Sequence, residues 1–373
     1  YHSYNILQIS ESEIKIYNLY EMLEGQVAAL SSGYLSVEDS IDLFNSLMKS
    51  KLYRKDQRNF MLYPIKELPS FLEKNNISKG LLNKSKLLRT LLSVGNTDII
   101  YKDSDGGIHF QSDLINAQEL KRKLMSLDIM ENKNFSDEEI NIVLDVYEKT
   151  FHHSEFTGRA NTFYKYEGLG SIYWHMVSKL LLAVQEVYFS AEKMSAKKDQ
   201  LKKIKNFYLH IQNGLGVSKQ PDEYGAFPID PYSHTPLFAG AQQPGMTGQV
   251  KEDIICRFRE IGIHIHEGKI IFNTSLLKRE EFLNNEEIFS YYDLNGIEQS
   301  FRCDSNSFVF TYCQVPFIYK LSDTSEVIIH KKDKKQIISK KLEIEENISQ
   351  QIFNRSGVIS RVEILIKRDL LPW

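Results

Sequence analysis

Along residues 20–260, apolar positions recur mostly at helical spacing. In "SVEDSIDLFNSLMKS", Ile41, Phe44 and Met48 are three and four residues apart, with Leu43 and Leu47 beside them, which predicts an amphipathic helix. Ser36 and Asp39 supply a start resembling a capping box, with Asp in place of Glu or Gln. In the preceding "YEMLEGQVAALSSGYL", Leu23, Val27, Ala28 and Leu30 predict a shorter helix that stops near Gly33, a residue suited to a left-handed cap. A short turn then joins two antiparallel helices.

Residues 65–140 mix Asn, Lys and Ser with short helical patterns, and "DSDGG" at 103–107 is turn chemistry between two short strand-like runs. This segment reads as an insertion on one face. A long core helix is expected from Ser171 to about Ala196, with Tyr173, Val177, Leu180, Leu181, Val184 and Tyr188 on its apolar face. Residues 214–248 are rich in proline and glycine and have no usable period, and their aromatics, Tyr224, Phe227, Tyr232 and Phe238, predict an ordered, packed loop. Thr247 is then expected to cap a helix whose buried stripe is Val250, Ile254, Phe258 and Ile261.

From Gly262 the period changes to two. "IHIHEGKIIFN" reads as a hairpin, "FSYYDLNGIEQSF" carries an Asn295-Gly296 turn, and "SFVFTYCQVPFIYKL" and "EVIIHKKDKKQIIS" continue the alternation. The expected fold class is therefore mainly α with a β-rich C-terminal part. Its expected domains are a helical one over 1–262, with the insertion near 65–140, and an antiparallel β-domain over 263–373.

Composition narrows the function classes. A chain of 373 residues, 42% hydrophobic and 25% charged, can bury a large core as two domains or one large toroid. The net charge of −3 argues against nucleic acid or a membrane surface as main partner, because both call for a concentrated basic field. The Lys-rich runs at 193–205 and 331–341 read as solvated faces. Cys256, Cys303 and Cys313 lack CxxC spacing, so they predict free thiols in a reducing, cytoplasmic compartment. No 18-residue apolar run or signal-peptide pattern is present. The first residues, "YHSYNILQIS", read as mid-fold sequence without an initiating methionine, which suggests a piece of a longer polypeptide.

Two places are receptive to an anion. His175 follows Gly168, Gly170 and Ser171 in the first turn of its helix, where free N–H groups and the positive end of the helix dipole favour negative charge. The alternative is a histidine hydrogen-bonded in a helix interface. In "PGMTGQV", a Thr N-cap followed by Gly248 directs N–H groups and a hydroxyl at one spot, although the same residues also make an ordinary capped helix and lack the P-loop lysine.

Other chemistry is weaker. His264 and His266 share a strand face but have no evident third metal ligand, so a surface pair is expected and no metal is assigned. His152, His153 and His234 carry no specific pattern. Glu24, Glu167, Glu223 and Asp230 are acidic residues near Gly, Tyr or Pro, the neighbourhood a glycoside-cleaving acid would have, and each also reads as a surface or capping carboxylate. No GxSxG, HExxH or dinucleotide fingerprint is present.

The order of "MLEGQVAALSSGYLSVEDSIDLFNSL", "YEGLGSIYWHMVSKLLLA", "DPYSHTP", "MTGQVKEDII" and a β-rich tail resembles the C-terminal part of the cellobiose and chitobiose phosphorylase family, over about residues 20–60 and 160–300. The resemblance implies an (α/α)6 six-hairpin toroid and inverting cleavage of a glycosidic bond by inorganic phosphate, with no cofactor. It implies that His175, Thr247 and Gly248 bind phosphate. Trp174, Tyr224 and Tyr232 are candidates to stack on sugar, Gln26, Gln242 and Gln243 to bond its hydroxyls, and Glu167 to contact it.

The chain departs from that family in two ways. Lys251 follows the Thr-Gly pair, where the family has a small-residue and tryptophan pattern, and one extra residue separates Glu167 from His175. The family's general acid falls upstream of this chain, leaving Glu167 and Asp230 as weak catalytic candidates. The implied partners are an oligosaccharide, the N-terminal remainder of the polypeptide and, as a possible assembly, a second copy. Hydrolysis or lyase chemistry on the same toroid, and a non-catalytic glycan-binding or scaffold role, remain alternatives.

Overall fold

The computed structural model describes Tyr1 and residues 5–127, 136–155, 170–227, 232–236, 239–244, 249–368 and 371. The chain divides into two compact units, one of Tyr1–Val177 with Asn213–Gly245, the other of Ser178–Gln212 with Met246–Trp373.

The first unit opens with an antiparallel hairpin, Asn5–Ile9 with Ile14–Asn18, in which Leu7 faces Ile16 and Ile9 faces Ile14. Helices Leu23–Ser31 and Val37–Lys49 follow, the second capped by the Ser36 side chain, which accepts the Asp39 N–H. It buries Leu43, Phe44 and Leu47. Residues 71–151 build a core of their own from Ile77, Leu87, Leu88, Leu91, Ile99, Phe110, Leu120, Val143, Tyr147 and Phe151. The turn at 103–107 joins strands Ile100–Lys102 and Ile108–Phe110. Asp103 organises it: Oδ1 accepts the Asp105 and Gly107 N–H groups, and Oδ2 lies 2.9 Å from His109 Nε2.

In the second unit, helices Lys198–Asn213 and Gln249–Glu260 precede the sheets. Ile263–His266, Lys269–Phe272 and Glu343–Ile344 form one sheet, and Glu287–Tyr292 pairs with Glu298–Cys303 in a separate hairpin. The largest sheet has five strands, in the order Ser307–Tyr312, Val315–Ser322, Ile359–Lys367, Glu326–Lys331 and Gln336–Ser339. Its central strand contributes Val362, Ile364 and Ile366 to a core that also holds Phe317, Tyr319, Val327 and Ile329.

The expectation of a mainly α, (α/α)6-toroid fold is overturned. Among the described residues, short sheets interrupt the helical stretches at 53–60, 100–110 and 172–244, and several helices are only four to six residues long. The strand-like runs flanking 103–107 form as expected, but the two-residue strands at 53–60 and 172–173 are too brief to leave a period-two signature, so they vanish inside a helical window. The C-terminal β part is also not purely antiparallel, because Val315–Ser322 and Ile359–Lys367 run parallel.

Two helices differ locally from expectation. The helix expected from Ser171 begins at Trp174, since Ile172–Tyr173 is a strand. The stripe expected on Gln249–Glu260 is borne out only in part: Ile261 is buried and Phe258 packs against the core, but Ile254 is 51% exposed, while Glu252, Cys256 and Glu260 are buried. Polar partners within the unit explain the difference, because Glu260 accepts hydrogen bonds from Tyr208 Oη and Gln212 Nε2, and Gln185 Nε2 donates to the Cys256 carbonyl at 2.9 Å. A buried polar face is stable when its groups are satisfied in this way.

Candidate functional site

The strand-to-helix junction at 172–175 lies in the first unit, and a small sheet fixes it. Ile172–Tyr173 pairs antiparallel with Tyr232–Thr235, which pairs in turn with Gln242–Pro244. Tyr173 is registered opposite His234, and His234 opposite Gln242, so the three residues form one row across the sheet. The Tyr173 and His234 rings stack with centroids 4.8 Å apart and planes at 16°. Tyr173 Oη is 3.3 Å from His175 Nδ1, and the two rings meet edge to face.

Beneath this row is an aromatic and cationic floor. Trp174 is 1% exposed and donates its indole N–H to Thr235 Oγ1 at 2.9 Å. Its ring meets Tyr224 edge-on at 5.4 Å, and Tyr224 meets Tyr232 at 6.1 Å. Lys219 Nζ lies 4.9 Å from the Trp174 ring and donates to both the carbonyl and Oε1 of Gln57 at 2.7 Å. Burial, the largest influence, lowers the Lys219 ammonium to about 8 despite the opposing pull of Glu223. Arg54 Nη1 donates to the Thr235 carbonyl at 2.9 Å while its Nε reaches Asp56.

Backbone crossing fixes the loop above the floor. Gly225 has φ +83°, and a Cβ there would stand 2.6 Å from Gly240 Cα. Only glycine permits both the left-handed conformation and the close approach.

The candidate residues are distributed unevenly. His175, Trp174, Tyr224, Tyr232 and Gln242 come together around the small sheet. Trp174 and Tyr224 are buried, which makes them the floor of the site and leaves neither ring with an open face for a sugar. Tyr232 is half-buried, and the Gln242 side chain is exposed. Gln26 is buried, and its Nε2 donates to the carbonyls of Met22 and Tyr1. Gln243 lies in the strand Gln242–Pro244, and its side chain is outside the described atoms. Glu167, Asp230, Thr247 and Gly248 all lie outside the described residues.

Of the remaining carboxylates and histidines, Glu223 pairs with Arg58 at 2.9 Å. His152 closes its helix in a left-handed conformation, and His153 stacks on Tyr147. His264 is edge-on to Phe189 at 4.4 Å in a groove of the second unit, and burial with Arg259 nearby lowers it to about 4. Among the described residues no group of three His, Cys, Asp or Glu side chains is placed to hold a metal, and no helix is long and apolar enough to cross a membrane.

Sequence reasoning missed the roles of Tyr173, Arg54 and Lys219. Helical spacing places Tyr173 on an apolar helix face, because its two-residue strand leaves no period of its own and its partner strand lies about sixty residues along the chain.

A family model for GH149 phosphorylase insertion domain 2 matches residues 68–154. The match overlaps the 65–140 stretch that reads as an insertion, and it relates the chain to glycoside phosphorylases. It does not extend to the cellobiose and chitobiose phosphorylase family or to any catalytic residue. No curated protein matches the chain.

Proposed function

We propose that this chain is part of an inverting glycoside phosphorylase, which cleaves a glycosidic bond of an oligosaccharide with inorganic phosphate and needs no cofactor. The match of residues 68–154 to a phosphorylase insertion domain carries this reading. The resemblance of the flanking segments to the C-terminal part of cellobiose and chitobiose phosphorylases supports it at finer grain.

In the reaction, a phosphate oxygen bonds to the anomeric carbon as the bond from that carbon to the glycosidic oxygen breaks on the opposite face. A general acid supplies the proton that the leaving oxygen takes. The products are a sugar 1-phosphate of inverted configuration and the shortened saccharide.

His175 is proposed as one phosphate contact, and Thr247 and Gly248 as others. Donors held in place before the reaction stabilise the charge of the nucleophile and align it without reorganising during the step. Tyr232, Gln242, Gln243 and Glu167 are proposed to contact sugar, with Trp174 and Tyr224 supporting them from below. Gln26 is a further candidate for a hydroxyl contact. The setting proposed is cytoplasmic.

The test is release of sugar 1-phosphate from a panel of disaccharides and longer saccharides by the longest natural form of the polypeptide, with and without phosphate. Phosphate-dependent release is expected, and His175→Ala is expected to weaken phosphate use by roughly ten- to a thousandfold. Free sugar released equally without phosphate would establish hydrolysis in its place. No release under either condition would leave a glycan-binding role.

A further inference from the structure

We infer that Tyr173 is a positioning residue that sets the tautomer of His175. The inference rests on the proposed role of His175 as a phosphate contact, but its structural basis is independent of that role.

A neutral imidazole carries a single N–H, and the partner of one ring nitrogen decides whether the other is the donor. Here Tyr173 Oη lies 3.3 Å from His175 Nδ1. A phenol is a better donor to an imidazole nitrogen than it is an acceptor, so Nδ1 takes the Tyr173 hydrogen bond and the ring proton resides on Nε2. Protonation of the ring also leaves a proton on Nε2. In both states Nε2, a buried ring atom, is therefore the donor that a phosphate contact would use.

The fold holds Tyr173 for this task from two sides. Its backbone is fixed by the pairing of Ile172–Tyr173 with Thr235 and His234, and its ring is stacked on His234. The helix Trp174–Lys193 begins at the next residue, so the strand end and the first helical turn set the spacing between the hydroxyl and the imidazole. His234 thus acts on His175 through the tyrosine ring. Gln242, at the other end of the row, is exposed beside them.

Tyr173→Phe keeps the stacked ring and removes only the hydroxyl. With histidine labelled by 15N, the ring shifts of His175 in the wild-type polypeptide should report the Nε2–H tautomer, and in Tyr173→Phe a mixture with Nδ1–H. KM for phosphate should rise about three- to tenfold, as expected for one lost hydrogen bond, with kcat nearly unchanged. In a His175→Ala background the same substitution should have no further effect, because its influence runs through the imidazole.

Unchanged His175 shifts in Tyr173→Phe would overturn the inference, as would a loss that simply adds to that of His175→Ala. Should the wild type show no phosphate-dependent turnover, the phosphorylase reading fails, and the tautomer measurement alone then decides the role of Tyr173. His234→Ala, which leaves the hydroxyl but frees the ring, should give a partial form of the same tautomer mixing.

Discussion

At the scale of single residues, burial and backbone conformation decide more than residue type. His264 alternates with His266 and reads as half of a surface pair, yet its imidazole is half-buried against Phe189 and lowered to about 4. A histidine that resists protonation only in the folded state leaves stability intact above its unfolded pKa, near 6.5. Stability then falls as pH drops from there towards 4, because the unfolded chain binds the extra proton first. His264→Gln should flatten that part of the pH dependence, and thermal unfolding at pH 4.5 and pH 7 would measure it. Gly225→Ala should destabilise by at least about 1–3 kcal/mol from left-handed strain alone, with the Gly240 contact adding to it, as denaturant titration would show. The place of His175 at a helix start was legible from the glycines and serine before it. Its tyrosine partner was not, because the strand holding that tyrosine comes from about sixty residues further along the chain.

Elements with a strong local period were legible, and those governed by a distant partner were not. The helix Val37–Lys49 buries Leu43, Phe44 and Leu47 and takes Ser36 as its cap, as its spacing predicts. The hairpin turns at 103–107 and 293–296 form where Asp and Gly direct them. On Gln249–Glu260, by contrast, hydrophobicity named only part of the buried face, since the inward side also carries Glu260 for Tyr208 and Gln212. Two element-scale predictions follow from this contrast. Leu181→Ala, at a buried position of Trp174–Lys193, should cost about 2–5 kcal/mol through a cavity, and a neutral result in chemical denaturation would mean the site has another packing. Ser136→Ala should cost about 1 kcal/mol, because the Ser136 side chain accepts the Glu139 N–H at the start of Asp137–Phe151.

For the whole molecule, a change of period near Gly262 was legible, while the way the chain weaves between two compact units was not. Periodicity reports faces, not which segments return to join an earlier one, and residues 213–245 join the first unit after the chain has already entered the second. The segment 68–154 differs in having an apolar core composed of its own residues. Expressed alone, it should fold cooperatively, with a sigmoidal thermal transition and dispersed amide resonances. A collapsed species lacking such a transition would show that the core depends on its surroundings.

The five-stranded sheet also has a temporal consequence. Its central strand, Ile359–Lys367, is the last of the five in chain order, and both of its neighbours precede it. During synthesis from the N-terminus, Val315–Ser322 and Glu326–Lys331 leave the ribosome with the edges that will flank it still open. Two half-sheets must wait, each a template for pairing with another chain, until the missing strand slides between them. Closure of this sheet is therefore an event that follows translation of residue 367, and the interval before it is when nascent chains of this protein are most in need of a chaperone.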